Sequence, residues 1–151
     1  MKKLRVWILV ADGSRARIVR YGPAGEHAGD LVFEADHKQL KEIMADKPGR
    51  SFASVGAKRS AMEYRSDPVR QQTEDFAAFL AEQLERHQAA GEFDRLAIVA
   101  EPRMLGTIRP RIPRAVAPTV VAEIDKDLTK LPVHELYEAV AGLDIPGLSA
   151  A

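Results

Sequence analysis

Residues 7–21, WILVADGSRARIVRY, are the stretch on which the fold turns. They read as two strands meeting at Asp12-Gly13. A two-residue Asp-Gly connection supplies the positive φ angles of a tight hairpin, with a twist that matches the strands it joins. The first strand, Val6 to Val10, is apolar at every position, so both of its faces need cover and it belongs inside a sheet. The second alternates: Ala16, Ile18 and, past Val19, Tyr21 fall on one face, and Arg15, Arg17 and Val19 on the other.

Outward from the hairpin, residues 22–29 (GPAGEHAG) read as a loop and Leu31 to Ala35 as a third strand, antiparallel to the second. Lys38 to Ala45 has a helical turn's pattern, with Leu40, Ile43 and Met44 on one side. Residues 46–67 show no sustained period and carry Pro48, Gly49 and Gly56. So long a loop in a compact domain is uncommon and tends to be functional or disordered. Phe52, Met62 and Tyr64 give it apolar points of attachment.

A long helix follows, with Asp67 as N-cap and Pro68 at its first position. Val69, Thr73, Phe76, Leu80 and Leu84 form its inward stripe, and Gly91 closes it. Arg95 to Ala100 is a short buried strand. Pro102 opens a second helix with Met104, Leu105, Ile108 and Ile112 inward, cut short by Pro110 and Pro113. Pro118 to Ile124 is the last strand. Thr129 is expected to cap a final helix bearing Leu136, Val140 and Leu143, ended by Gly142 or Gly147.

The expectation is an α/β domain over residues 1–151, with five strands in a βββαβαβα layout. Hairpins make the first three strands antiparallel. Helical crossovers make the later two parallel to the first. The predicted order is 3-2-1-4-5, a ribonuclease-H-like arrangement.

The chain has 151 residues, 46% hydrophobic and 29% charged, and no cysteine. Disulfides, thiolate zinc sites and cysteine nucleophiles are excluded, in keeping with a cytoplasmic protein. The apolar run near the N-terminus leads straight into a charged turn, so it reads as a strand rather than a signal peptide. No run approaches the roughly 18 apolar residues of a membrane span. The net charge is zero but unevenly spread. Residues 1–25 hold six Lys/Arg against one Asp, residues 47–70 six against two acids, and residues 100–114 four Arg against Glu101. Were these segments to converge, they would form an anion-binding surface; otherwise they are solvated faces of ordinary elements.

Familiar catalytic motifs fail. His134-Glu135 is followed by Glu138 where a zinc-protease helix needs a second histidine. His27, His37 and His87 are isolated in sequence and read as exposed. Gly22-Pro23-Ala24-Gly25 lacks the lysine of a phosphate loop, and there is no G-x-S-x-G elbow. One constellation is chemically coherent: Asp12, Glu101 and Asp125, with Asp127, end three strands that the layout sets side by side. Clustered carboxylates of this kind hold Mg²⁺ in two-metal nucleases. The competing reading gives Asp12 to its turn, Glu101 to the start of a helix, and Asp125 and Asp127 to the approach to the last helix.

Four stretches carry a resemblance. They are the hairpin at 7–21; Gly49-Arg50-Ser51-Phe52 with Gly56 and Glu63; Ala100 to Gly106 (AEPRMLG); and Glu123 to Thr129 (EIDKDLT) with Pro132 and Glu135-Leu136. In this order they resemble the bacterial host-attachment family, proteins required for attachment to host cells. That family is similar to the middle domain of archaeal and eukaryotic peptide-chain release factors, which implies the same layout. Release factors act through a Gly-Gly-Gln loop. No Gly-Gly-Gln occurs here, and the long loop carries Gly56-Ala57-Lys58-Arg59 instead.

The expectation is therefore a non-catalytic or weakly catalytic binding domain, with no cofactor. It would associate with the ribosome or structured RNA through phosphate contacts from Arg50, Lys58, Arg59, Arg65 and Arg103. Two alternatives stand beside it: an intracellular accessory protein for attachment acting through protein partners, and a metal-dependent nuclease using Asp12, Glu101 and Asp125.

Overall fold

The structure, a computed structural model, describes residues 4–35 and 68–146. The elements are β1 (Val6–Ala11), β2 (Arg15–Tyr21), β3 (His27–Glu34), α1 (Pro68–Ala89), β4 (Arg95–Ala100), α2 (Pro102–Ile108), β5 (Val120–Asp125) and α3 (Val133–Ala141). The expected helical turn at 38–45 and the loop at 46–67 lie outside the described residues, and so do Asp67, Arg50, Lys58, Arg59 and Arg65.

β1 is buried at every position, which requires neighbours on both edges and cover on both faces. β2 pairs with it antiparallel, placing Ala11 opposite Ala16, and β4 pairs with it parallel, placing Ala11 opposite Ala100. β3 extends the sheet beyond β2, and β5 extends it parallel beyond β4. The five strands run in the order β3-β2-β1-β4-β5, as the pattern of hairpins and crossovers predicts.

Side-chain alternation divides the core in two. Trp7, Leu9, Ala11, Ala16, Ile18, Leu96 and Ile98 face α1 and α2, where they meet Phe76, Leu80, Leu84, Met104 and Ile108. Val6, Ile8, Val10, Val19, Ala97 and Val99 face α3, where they meet Leu136, Val140 and Ile145. Burying each such Leu or Ile contributes about 1.5–3 kcal/mol. Tyr21 joins Val19 on the α3 side, not Ala16 and Ile18, because β2 keeps its period of two against β1.

Several local expectations shift. β3 begins at His27, ahead of Leu31, since Gly29 at φ 99° lets the strand bend and continue. β5 begins at Val120, because Ala117–Thr119 form a short 3-10 turn around Pro118. Val69 is 58% exposed, so the inward stripe of α1 starts at Thr73. α1 ends as its sequence suggests: Gly91 takes φ 72°, its N–H bonds to Gln88 O, and Glu92 N–H bonds back to His87 O.

The β1–β2 turn also differs from the expected form. Its tip is Gly13-Ser14, and Gly13 does not take a positive φ. Asp12 N–H donates to Arg15 O at 2.9 Å. The reciprocal donor, Arg15 N–H, goes to Asp12 Oδ1 at 2.8 Å, as does Ser14 N–H at 2.8 Å. A carboxylate thus takes the place of a main-chain carbonyl in closing the turn.

Candidate binding cleft at the strand ends

The C-terminal ends of β1 and β4 open onto a cleft of about 580 Å³. The β1–β2 turn supplies Asp12, Gly13 and Ser14 to its wall; the first turns of α1 supply Val69, Gln72 and Thr73. Glu101, Pro102 and Arg103 come from the start of α2, and Asp127 and Lys130 from the loop between β5 and α3.

Two close packings shape this wall. A Cβ on Gly13 would lie 2.8 Å from Thr73 Oγ1, so only glycine lets α1 settle on the turn. Thr73 is itself buried, and its hydroxyl donates to Val69 O at 3.0 Å. On the far side Thr129 ties the β5–α3 loop to the turn. Its hydroxyl lies 2.8 Å from Asp12 Oδ2 and 2.6 Å from Asp127 Oδ1. With a single proton, it donates to one carboxylate at a time. Thr129 is therefore not the cap of α3, which starts after Pro132 without a side-chain cap.

The carboxylates on the wall are held by their own turns. Asp12 accepts from the amides of Ser14 and Arg15. Glu101 caps α2, accepting from Arg103 N–H at 2.9 Å and Met104 N–H at 3.0 Å. Burial pushes the Asp127 carboxyl up, but bonds from the Thr129 hydroxyl and amide, with the nearby Lys130 ammonium, hold it below the usual range. Asp125 is not among the lining residues. Among the described residues, no three His, Asp or Glu side chains are grouped as ligands of one ion.

Of the five expected phosphate-binding residues, Arg103 is described, and it sits exposed on the cleft wall. Other basic residues are engaged elsewhere. Arg5 pairs with Asp94 beside the start of β4, at the opposite end of β1 and β4 from the cleft. Arg17 pairs with Asp30, Arg109 pairs with Glu123, and Arg111 donates to Thr107 O. The basic residues of segments 1–25 and 100–114 thus do not all converge. Lys130 joins Arg103 on the wall, a placement no spacing in the sequence announces.

A second polar cluster lies on the α3 side of the sheet. Asp30, with its side chain 6% exposed, accepts from Arg17 at 2.7 Å, His27 Nε2 at 2.7 Å and the Tyr137 hydroxyl at 2.6 Å. His27 is therefore not isolated, and its ring also packs on Tyr21 and Tyr137. Burial raises the Asp30 carboxyl, and these three donors overcome that and bring it below its ordinary value. Tyr137 is raised by its bond to Asp30, then by burial. His87 is likewise engaged: it bonds Glu92 and packs on Trp7.

Among the described residues no helix is long and apolar enough to cross a membrane. One solved structure similar to this chain belongs to a "PilM-PilN type IV pilus biogenesis complex", at 10% identity and a TM-score of 0.43. The similarity covers 90% of this chain and 42% of that one, so this chain spans less than half of that protein's length. No curated protein matches the sequence. A family model does, over residues 7–140, which takes in every strand but the first residue of β1 and most of α3. By that match, the chain belongs to the family described as "Protein required for attachment to host cells".

Proposed function

We propose that this member of the host-attachment family is a cytoplasmic binding domain that engages RNA, free or in the ribosome. Its phosphate contacts would come from Arg103 together with Arg50, Lys58, Arg59 and Arg65. The observation that carries the reading is where residues 36–67 join the fold. They leave β3 at Ala35, whose amide donates to Ser14 O at 2.7 Å, and return at the start of α1, where Val69 lines the cleft. The described residues that flank this stretch, Ala35 and Val69, thus lie beside the wall that presents Arg103. Without Gly-Gly-Gln, the role is binding rather than peptide release.

Phosphate contacts release counterions, so affinity falls with salt, by about 0.7 in log-log slope per contact on a single strand. The test is the affinity for a mixed-sequence oligoribonucleotide between low and high salt. Steep weakening is expected, and Arg103→Ala should flatten the slope by about 0.7. Absence of binding at low salt, or an affinity indifferent to salt, would refute the reading; the latter would turn attention to protein partners.

A further inference from the structure

We infer that β3 is an interaction edge whose partner is β3 of a second copy of this chain, paired antiparallel about a two-fold axis. β3 is the last strand on its side of the sheet, and among the described residues no strand pairs with its outer edge. It is eight residues long and carries no proline or lysine, residues with which natural edges block pairing. The irregularity around Gly29 leaves Asp30 to Glu34 as its regular part. Two of the four large apolar side chains exposed among the described residues lie here. They are Val32, 58% exposed on β3 itself, and Phe79, 40% exposed, whose ring meets Phe33 edge-on.

Main-chain geometry fixes which groups of β3 are open. Ala35 N–H donates to Ser14 O, and Asp12 N–H to Arg15 O. Alternation then turns Ala16 and Ile18 towards β3, where they face Phe33 and Leu31. The N–H and C=O groups of Asp30, Val32 and Glu34 therefore point outward. Two-fold pairing sets outward residues opposite outward residues, and charge selects among the registers. Centring on Asp30 or on Glu34 opposes that carboxylate to its own copy, and centring on Val32 opposes Asp30 to Glu34. Centring on Leu31 opposes no two acids. Asp30 then exchanges main-chain hydrogen bonds with Val32 of the other copy, and Leu31 meets its own copy. In that register the exposed Val32 lies beside an Asp30 carboxylate already bonded by Arg17, His27 and Tyr137. Centring on Phe33 would instead set Val32 beside the exposed Glu34.

Sedimentation of the full chain tests this, and should give twice the 16.6 kDa chain mass. Val32→Pro removes an outward N–H that β2 does not use. It should keep the thermal midpoint and weaken dimerisation about tenfold or more. The chain has no cysteine, so single cysteines report the register. Leu31→Cys places two thiols on a non-hydrogen-bonded pair, with Cα atoms about 4.5 Å apart and within disulfide reach. Val32→Cys leaves its Cα atoms about 8–9 Å apart, beyond that reach. Under mild oxidation a linked dimer is expected from Leu31→Cys and not from Val32→Cys. A monomer at every concentration up to about 100 μM overturns the inference. So does a dimer that Val32→Pro leaves intact, or cross-linking at Val32 equal to or greater than that at Leu31. A monomer whose thermal midpoint falls with Val32→Pro also overturns it, and assigns the edge to a segment of the same chain.

Discussion

At Gly13 the limiting quantity is space. An added Cβ meets Thr73 Oγ1 at 2.8 Å, and that oxygen is held in place by its bond to Val69 O. Gly13→Ala should therefore cost about 1–3 kcal/mol, the usual range for overpacking. Adding Thr73→Ala removes the obstructing atom, so the double variant should be less destabilised than the sum of the singles; urea titrations of the four proteins would measure it. At Asp30 the limiting quantity is charge. Its carboxyl is lowered on folding, so its contribution is present above the unfolded-state value and fades as the pH falls through the lower folded value. Asp30→Asn should cost about 1–3 kcal/mol at neutral pH, with the gap to the natural protein narrowing in acid. A gap that stays constant down to pH 2 would refute that linkage.

The helices show what local sequence can and cannot specify. α1 ends at a glycine whose φ of 72° is a conformational demand, with nothing within 4 Å of the Cβ it lacks. Gly91→Ala should thus cost about 1–2 kcal/mol from the left-handed backbone alone, and no second-site substitution at a neighbour should relieve it. A thermal melt beside the Gly13 pair would separate the two mechanisms. Such features were readable in advance: Pro68 opening α1, Gly91 closing it, and the prolines that turn the chain after Ile108 into a 3-10 turn at Arg109–Arg111. The turn at Asp12 was only half readable. Asp-Gly signals a turn, but which group closes it depends on a carboxylate rotamer, not on composition. Thr129 was misassigned for a related reason. Its residue type suits a helix cap, but its hydroxyl is taken by Asp12, 117 positions away, a pairing only the assembled sheet creates.

For the molecule as a whole, the strand order followed from alternation and connection alone, and both layers of the core were implied by β1 being apolar throughout. The cleft was less accessible to sequence. Its wall draws on four separated segments, which set Asp12, Glu101 and Asp127 beside Arg103 and Lys130. The charge of separate segments pointed to three basic stretches; folding sets Arg5, Arg17 and Arg109 against acids and leaves Arg103 without a partner among the described residues.

The parallel pairing of β1 with β4 also bears on how the chain acquires its fold. Val6 is aligned with Arg95, so one edge of the most apolar strand stays without its partner until that later strand has been synthesised. The β1–β2–β3 hairpins can form early, since their contacts are local. The sheet's centre must wait for a loop closure of nearly 90 residues, the slow and entropically costly kind. During that interval VWILVA is the segment most prone to pairing with another chain. Truncation before residue 95 should therefore yield aggregates rather than a stable half-domain, and a substitution in β4 such as Ile98→Ala should slow refolding as well as lower stability. Stopped-flow refolding followed by Trp7 fluorescence would report it, because the Trp7 ring packs against Phe93 at a centroid distance of 4.9 Å, beside the start of β4.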